Sequence, residues 1–201
     1  MTLRIAATLC LAFVLATAAH ADGAYVQLEA GPSFFDDSDV ENNSLDIEYD
    51  TGVNVGGAAG YHFLDVLDQG LLDLRAEFGV AYHQGDVDRT GMFPADGDVE
   101  VIGLMANGYW DVDLGLPVTP FVGAGIGCGV VVVDVLTIAG RIDEDDAAFA
   151  WELMGGLTYH VTPAFSVDGG YRYFATANAN IGGDDLDIAT HEVVVALRYS
   201  F

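Results

Sequence analysis

From about Tyr25 onward, apolar and polar residues alternate with a period of two in segments of about ten residues, the spacing of half-buried strands rather than helices. Clusters of Gly, Asp, Asn and Pro separate the segments. The pattern predicts eight strands, at Tyr25–Phe34, Gly52–Phe63, Leu72–His83, Val99–Asp111, Phe121–Val132, Phe149–Tyr159, Phe165–Phe174 and His191–Phe201. The connections alternate in length. Those after the second, fourth and sixth strands are short (65–70, 112–120 and 160–164), whereas those after the first, third, fifth and seventh are long and acidic. Short turns on one side and long polar loops on the other suit an all-β, antiparallel, up-and-down barrel that crosses a membrane, with periplasmic turns and four external loops. Past the N-terminal region, the longest apolar run, Phe121 to Val133, is short and studded with glycine, so no spanning helix is expected.

The two faces of each strand differ in a telling way. In the last strand His191, Val193, Val195, Leu197, Tyr199 and Phe201 oppose Glu192, Val194, Ala196, Arg198 and Ser200. The seventh sets Phe165, Val167, Tyr171 and Tyr173 against Ser166, Asp168 and Arg172, and the third sets Leu74, Phe78 and Val80 against Asp73, Arg75, Glu77 and His83. Alternation alone leaves open a soluble lipocalin-like barrel whose apolar face lines a ligand cavity. The polar face, however, carries Arg75, Glu77, Glu152, Arg172, Glu192 and Arg198, charges of both signs able to pair across a narrow lumen. Tyrosines and phenylalanines also gather near strand ends, as an interfacial girdle requires. Both features favour lipid outside and charge inside.

Composition sharpens this picture. The chain of 201 residues is enough for one domain, and its 52% hydrophobic content excludes a disordered tail. Net charge is -25, from 31 acidic residues against 6 basic ones, all arginine, so nucleic acid would be repelled. The acids cluster at 35–50, 85–100, 134–146 and 183–187, which marks these stretches as loops. Arg4, the apolar run Ile5 to Ala18 and Ala19-His20-Ala21 read as an export signal over residues 1–21, cleaved before Asp22 to leave a barrel over 22–201. Cys10 falls in that signal, so the mature chain keeps Cys128 alone and no intrachain disulfide is expected.

Candidate chemistry adds little to the fold. Gly123, Gly125, Gly127 and Gly129 share one face of the fifth strand and leave room for bulky neighbours such as Tyr109 or Arg172; a strand continues where a nucleotide loop would need a helix. The runs 36–41 and 143–146 offer hard oxygen ligands to divalent cations, against the favoured reading of solvated loops that discourage association. Neither has EF-hand spacing. His62, His83, His160 and His191 are scattered over different strands without a metal frame. No metal site or cofactor is expected.

In Asn107-Gly-Tyr-Trp-Asp-Val112, Pro120-Phe-Val-Gly-Ala-Gly-Ile-Gly127, Val167-Asp-Gly-Gly-Tyr-Arg-Tyr-Phe174 and His191-Glu-Val-Val-Val-Ala-Leu-Arg-Tyr-Ser-Phe201 the chain resembles the OmpA-type, opacity-protein-like outer-membrane β-barrels of Gram-negative bacteria. The resemblance runs from about Tyr25 to Phe201. It implies an eight-stranded barrel in contact with outer-membrane lipids, and a C-terminal Tyr199 and Phe201 similar to the aromatic signal read by the outer-membrane assembly machinery. None of the four segments is a catalytic motif. The expected role is non-enzymatic and structural or surface-related, with at most a narrow pore, because side chains fill a barrel of eight strands. Two other classes remain open: a surface adhesion or binding barrel acting through its acidic loops, and a lipid-modifying enzyme. The enzyme needs a Ser, a His and a carboxylate together; His191-Glu192 has no serine two residues away, and Ser166 and Ser200 are expected to face the lumen.

Overall fold

The computed structural model describes residues 23–35, 38–39, 46–49, 51–63, 72–90, 93–137, 140–177, 179–181, 184–186 and 188–201. The expected export signal, residues 1–21, lies outside them. Eight long strands carry the architecture: β1 (Ala24–Phe35), β2 (Thr51–Phe63), β3 (Leu72–Thr90), β4 (Phe93–Val112), β5 (Val118–Thr137), β6 (Gly140–His160), β7 (Phe165–Ala177) and β8 (Ala189–Ser200). Each pairs antiparallel with its neighbour in sequence, and β1 pairs with β8 from Tyr25↔Ser200 to Phe35↔Thr190. The sheet is therefore closed, and every long strand has a partner on both edges.

Closure gives the two faces opposite environments, and the observed distribution is inverted relative to a water-soluble barrel. Leu28 is 72% exposed and Ile126 62%, whereas Arg198 is 2% exposed and Glu192 0%. A soluble lipocalin-like barrel would need the reverse, because its apolar face must leave water. The outward band is instead suited to lipid. Aromatic side chains border it: Tyr61, Phe63, Phe165, Tyr199 and Phe201 at the short-turn end, and Phe34, Phe149 and Tyr171 toward the other. Rings touch around the lower border, Phe165 to Tyr199 at 5.0 Å and Tyr199 to Phe201 at 5.1 Å between centroids.

The short turns are built from local polar chemistry. Between β4 and β5, the Asp113 carboxylate accepts the Gly115 N–H at 2.8 Å, and Gly115 takes φ +66°, a conformation that favours glycine. Between β6 and β7, the Thr162 hydroxyl accepts the N–H groups of Ala164 and Phe165 at 3.3 and 3.0 Å. The end of β8 is tied to the start of β1 at the same rim, where Phe201 donates its N–H to the Ala24 carbonyl at 3.0 Å.

The opposite end differs from the expectation of open acidic loops. Pairing of β3 with β4 runs on to Thr90↔Phe93, and that of β5 with β6 to Thr137↔Gly140, so the described residues of the acidic stretches 85–100 and 134–146 continue the strands of the barrel wall. Short ribbons also occur at the other two, Ser38–Asp39 against Asp46–Tyr49 within 35–50, and Ala179–Ile181, just before 183–187, against Asp184–Leu186. Backbone pairing is indifferent to side-chain charge. Val87, Val99, Val133, Val135 and Ile142 place strong strand formers between the acids. Strands β3 to β6 thus reach 19, 20, 20 and 21 residues, against the ~10 that cross a bilayer.

A closed ladder of this kind predicts a heat-modifiable protein. Refolded barrel should migrate in SDS at one apparent mass when cold and at another after boiling; identical migration in both lanes would contradict the closed sheet.

Candidate functional site

The polar face of the strands converges on the lumen, where a chain of charged and amide groups runs along the barrel. Near the short-turn end Arg198 bonds Asp168 through Nη2, and Arg75 Nε meets the Asp111 carboxylate at 2.8 Å. Gln27 relays upward, accepting from Arg198 Nε at 3.5 Å and donating to Glu29 at 3.3 Å. Arg172 occupies the centre. Its two terminal nitrogens grip the two oxygens of Glu29 at 2.7 and 2.8 Å, and Glu152 and Glu192 stand at 3.4 and 3.5 Å. A planar guanidinium matches that fork-on-fork geometry in a way an ammonium would not. Above it, Glu192 also meets His83 Nδ1 at 2.5 Å and accepts from Ser33 and Thr190 at 3.1 and 3.2 Å. Phe174 stacks on the His83 ring, with centroids 4.6 Å apart.

Glu77 is satisfied differently. It accepts from the Tyr109 hydroxyl at 2.5 Å, the Tyr25 hydroxyl at 2.9 Å and the Asn107 amide at 3.4 Å. Both tyrosines lie over glycine. Tyr25 faces Gly60 across the β1–β2 ladder and Tyr109 faces Gly123 across β4–β5; a Cβ added to either glycine would come within 2.4 Å of the ring. Arg75 in turn lies 4.0 Å from the Tyr109 ring centroid and 5.1 Å from that of Phe121, and Arg198 5.0 Å from that of Tyr25.

Of the six luminal candidates named from sequence, the structure brings Glu152, Arg172 and Glu192 together. Arg75 and Arg198 take aspartates instead, Asp111 and Asp168, and Glu77 takes tyrosines. Sequence reasoning did not select Glu29, Asp111, Asp168 or His83 as partners, although all share the polar phase of their strands. The phase was the available signal; the pairing was not, since Arg172 and Glu29 lie 143 residues apart. Gly123 does accommodate Tyr109, but Arg172 is not among the atoms nearest the four glycines of β5. Tyr199 and Phe201 point outward at the short-turn rim. His191 faces outward and bonds the Tyr171 hydroxyl, while His160 contacts Ser166 and Thr119 near the rim. Among the described residues no three His, Cys, Asp or Glu side chains converge to hold a metal ion. The acidic runs 36–41 and 143–146 have no described side chains.

The free space at mid-lumen is small. Cavities of about 30 and about 10 Å³ flank Arg172, enough for about a single water each.

Comparison with known proteins agrees with this architecture. Residues 5–201 match the family model described as "Outer membrane protein beta-barrel domain". The chain is 27% identical to the outer membrane protein PagN of Salmonella typhimurium, over 92% of this chain and 93% of that protein. It is 28% identical to an uncharacterized protein of Brucella abortus, over 71% of this chain and 58% of that protein, so it spans little more than half the length of that relative. Among solved structures, Neisserial surface protein A superposes with a TM-score of 0.60 at 23% identity, covering 90% of this chain and 98% of the other. A major outer membrane protein from Thermus thermophilus gives 0.55 at 14%, covering 90% and 100%. These structural likenesses speak to the fold.

The network around Arg172 generates two stability predictions. Arg172→Met leaves Glu29, Glu152 and Glu192 buried without their common cation and should destabilise the barrel by roughly 3–5 kcal/mol in urea unfolding from lipid vesicles, with Arg172→Lys in between. A loss under 1 kcal/mol would contradict the central role of the guanidinium. Gly123→Val should displace Tyr109 from Glu77 and lower stability by roughly 1–3 kcal/mol by the same assay.

Proposed function

Because the chain belongs to the outer-membrane β-barrel family, we propose that it serves in that membrane as a closed, non-enzymatic barrel with a structural and surface role in the envelope of a Gram-negative-type bacterium. The filled lumen carries this reading: the chain Asp168–Arg198–Gln27–Glu29–Arg172–Glu192–His83 crosses the interior, and the spaces beside Arg172 are of water size. A barrel of eight strands has little volume left for diffusion.

The reading assigns lipids of the outer membrane to the apolar band and the assembly machinery to the exposed aromatic pair Tyr199 and Phe201 at the C-terminal rim. Export would follow from the signal over residues 1–21, leaving 22–201 as the barrel. Surface character comes from the acidic hairpins, whose oxygen-rich composition suits divalent cations shared with lipid phosphates and repels nucleic acid. A hydrolase is not favoured. His160 does meet Ser166 Oγ at 3.1 Å, but its other ring nitrogen is 3.4 Å from the Thr119 hydroxyl rather than from a carboxylate that would orient a base.

In a planar bilayer the refolded protein should give no large, stable conductance steps. Reproducible ion-permeable openings would overturn the closed-lumen reading.

A further inference from the structure

The apolar surface of the barrel does not stop at its lower aromatic ring. On β4 the outward phase runs through Ile102, Leu104, Ala106, Gly108, Trp110 and Val112, and its first charged member above them is Glu100. Glu100 stands opposite Gln84 across the β3–β4 ladder, so a polar pair sets the upper limit of the hydrocarbon on this wall. Trp110 follows Ile102 by eight residues, which at a rise of ~3.3 Å and a strand tilt of ~40° spans ~20 Å along the barrel axis. The apolar band of an outer-membrane barrel is ~25 Å tall. A band ending at Trp110 is too short. Val112 makes up the deficit, and next in the same phase comes Leu114 of the β4–β5 turn, 53% exposed. The neighbouring hairpin repeats the arrangement: on β6 the outward Leu153, Leu157 and Tyr159 lead into Val161 of the β6–β7 turn, 55% exposed.

A second observation is independent of the height of the band. The polar groups of both turns are directed elsewhere. Asp113 accepts the Gly115 N–H and, with Thr119 and His160, lines the mouth of the lumen. The Thr162 hydroxyl is engaged by the N–H groups of Ala164 and Phe165, and His160 lies against Ser166. A solitary exposed leucine is ordinary, but Leu114 and Val161 extend a lipid-facing phase on turns whose polar side chains are satisfied within the chain.

We propose that, in the membrane barrel on which this inference rests, the β4–β5 and β6–β7 turns enter the bilayer, with Leu114 and Val161 against acyl chains of the leaflet on the short-turn side. The hydrocarbon boundary on this wall then lies past the aromatic ring, and Trp110 sits among the chains rather than at the headgroups. Lipid is the occupant because the patch has no border of its own. It runs into Trp110, Val118 and Tyr159 with no outward polar side chain between, and Val118 pairs with Tyr159 across the β5–β6 ladder. A surface made for a protein partner is instead rimmed by polar residues.

Nitroxide labels test this on the full-length chain refolded into phosphatidylcholine vesicles. Labels are placed at Leu114→Cys or Val161→Cys in a Cys10→Ser/Cys128→Ala background, and on the exposed native Cys128 of β5 in Cys10→Ser, as a reporter within the band. Collision with oxygen, which concentrates in hydrocarbon, is compared with collision with a water-soluble nickel chelate. Both turn labels should favour oxygen several-fold over the same labels on the urea-unfolded chain, with Cys128 higher still. A preference at Cys128 with none at the turns would overturn the proposal and leave the membrane barrel standing, whereas none even at Cys128 would overturn both. Exclusion of both reagents from the turns would mean that another polypeptide covers them, which also overturns it. If a cysteine variant does not refold, Trp110 gives the reading with the turns untouched. In Trp151→Phe its fluorescence should be quenched more by lipids brominated midway along the acyl chain than by lipids brominated beside the glycerol, and the reverse order would overturn the proposal.

Discussion

Closure of the hydrogen-bonded sheet is the constraint on which the rest of this molecule depends. In hydrocarbon no water is available for a free backbone N–H or C=O, so each strand must find both neighbours within the chain. The β1–β8 ladder supplies the last of these pairings, with Phe201 N–H to Ala24 carbonyl finishing its lower edge. Once the sheet is closed, alternation along each strand has a single consequence: one set of side chains meets lipid, and the other is confined to a lumen too narrow to hydrate it freely. Leu28 and Arg198 lie on strands paired to one another, yet they occupy opposite extremes of exposure.

Confinement sets the second problem, that of buried charge. Three arginines, Arg75, Arg172 and Arg198, share the lumen with six buried carboxylates, so one-to-one pairing cannot satisfy the acids. The fold solves this by sharing and by neutral donors. Arg172 serves Glu29, Glu152 and Glu192 at once, while Glu192 adds a histidine and two hydroxyls, and Glu77 relies on two tyrosines and an amide. The tyrosines reach Glu77 because Gly60 and Gly123 leave the wall thin where the rings cross it. Glycine in the strands and charge in the lumen are thus parts of one arrangement, and such networks specify a particular packing because a half-satisfied version is costly.

A closed centre moves any exchange with the surroundings to the two ends, which are unlike. At one, paired hairpins extend acidic sequence well past the length needed to cross the bilayer. At the other, Asx- and hydroxyl-capped turns keep the rim short and leave an acid-lined mouth. The family match places the whole in the outer membrane; the chemistry of the ends differentiates this chain within that common body.

Period-two alternation was enough to locate all eight long strands and to set Arg75, Glu77, Glu152, Arg172, Glu192 and Arg198 on the phase opposite the apolar one, because these are properties of residues two apart on one strand; the mixed signs of those charges and the aromatic strand ends, not the alternation, favoured turning that phase inward. The acidic stretches were less legible: charge suggested loops, but backbone pairing carries β3 through Thr90 and β5 through Thr137 regardless of charge. The partners of the luminal charges were decided only by the tertiary structure. Arg75 turns to Asp111 on the adjoining strand, Arg198 to Asp168, and Arg172 to Glu29 from the far end of the chain. The reason is physical: a side chain's face follows from local periodicity, whereas the carboxylate it meets depends on strand register and on the curvature that brings distant strands across a narrow lumen.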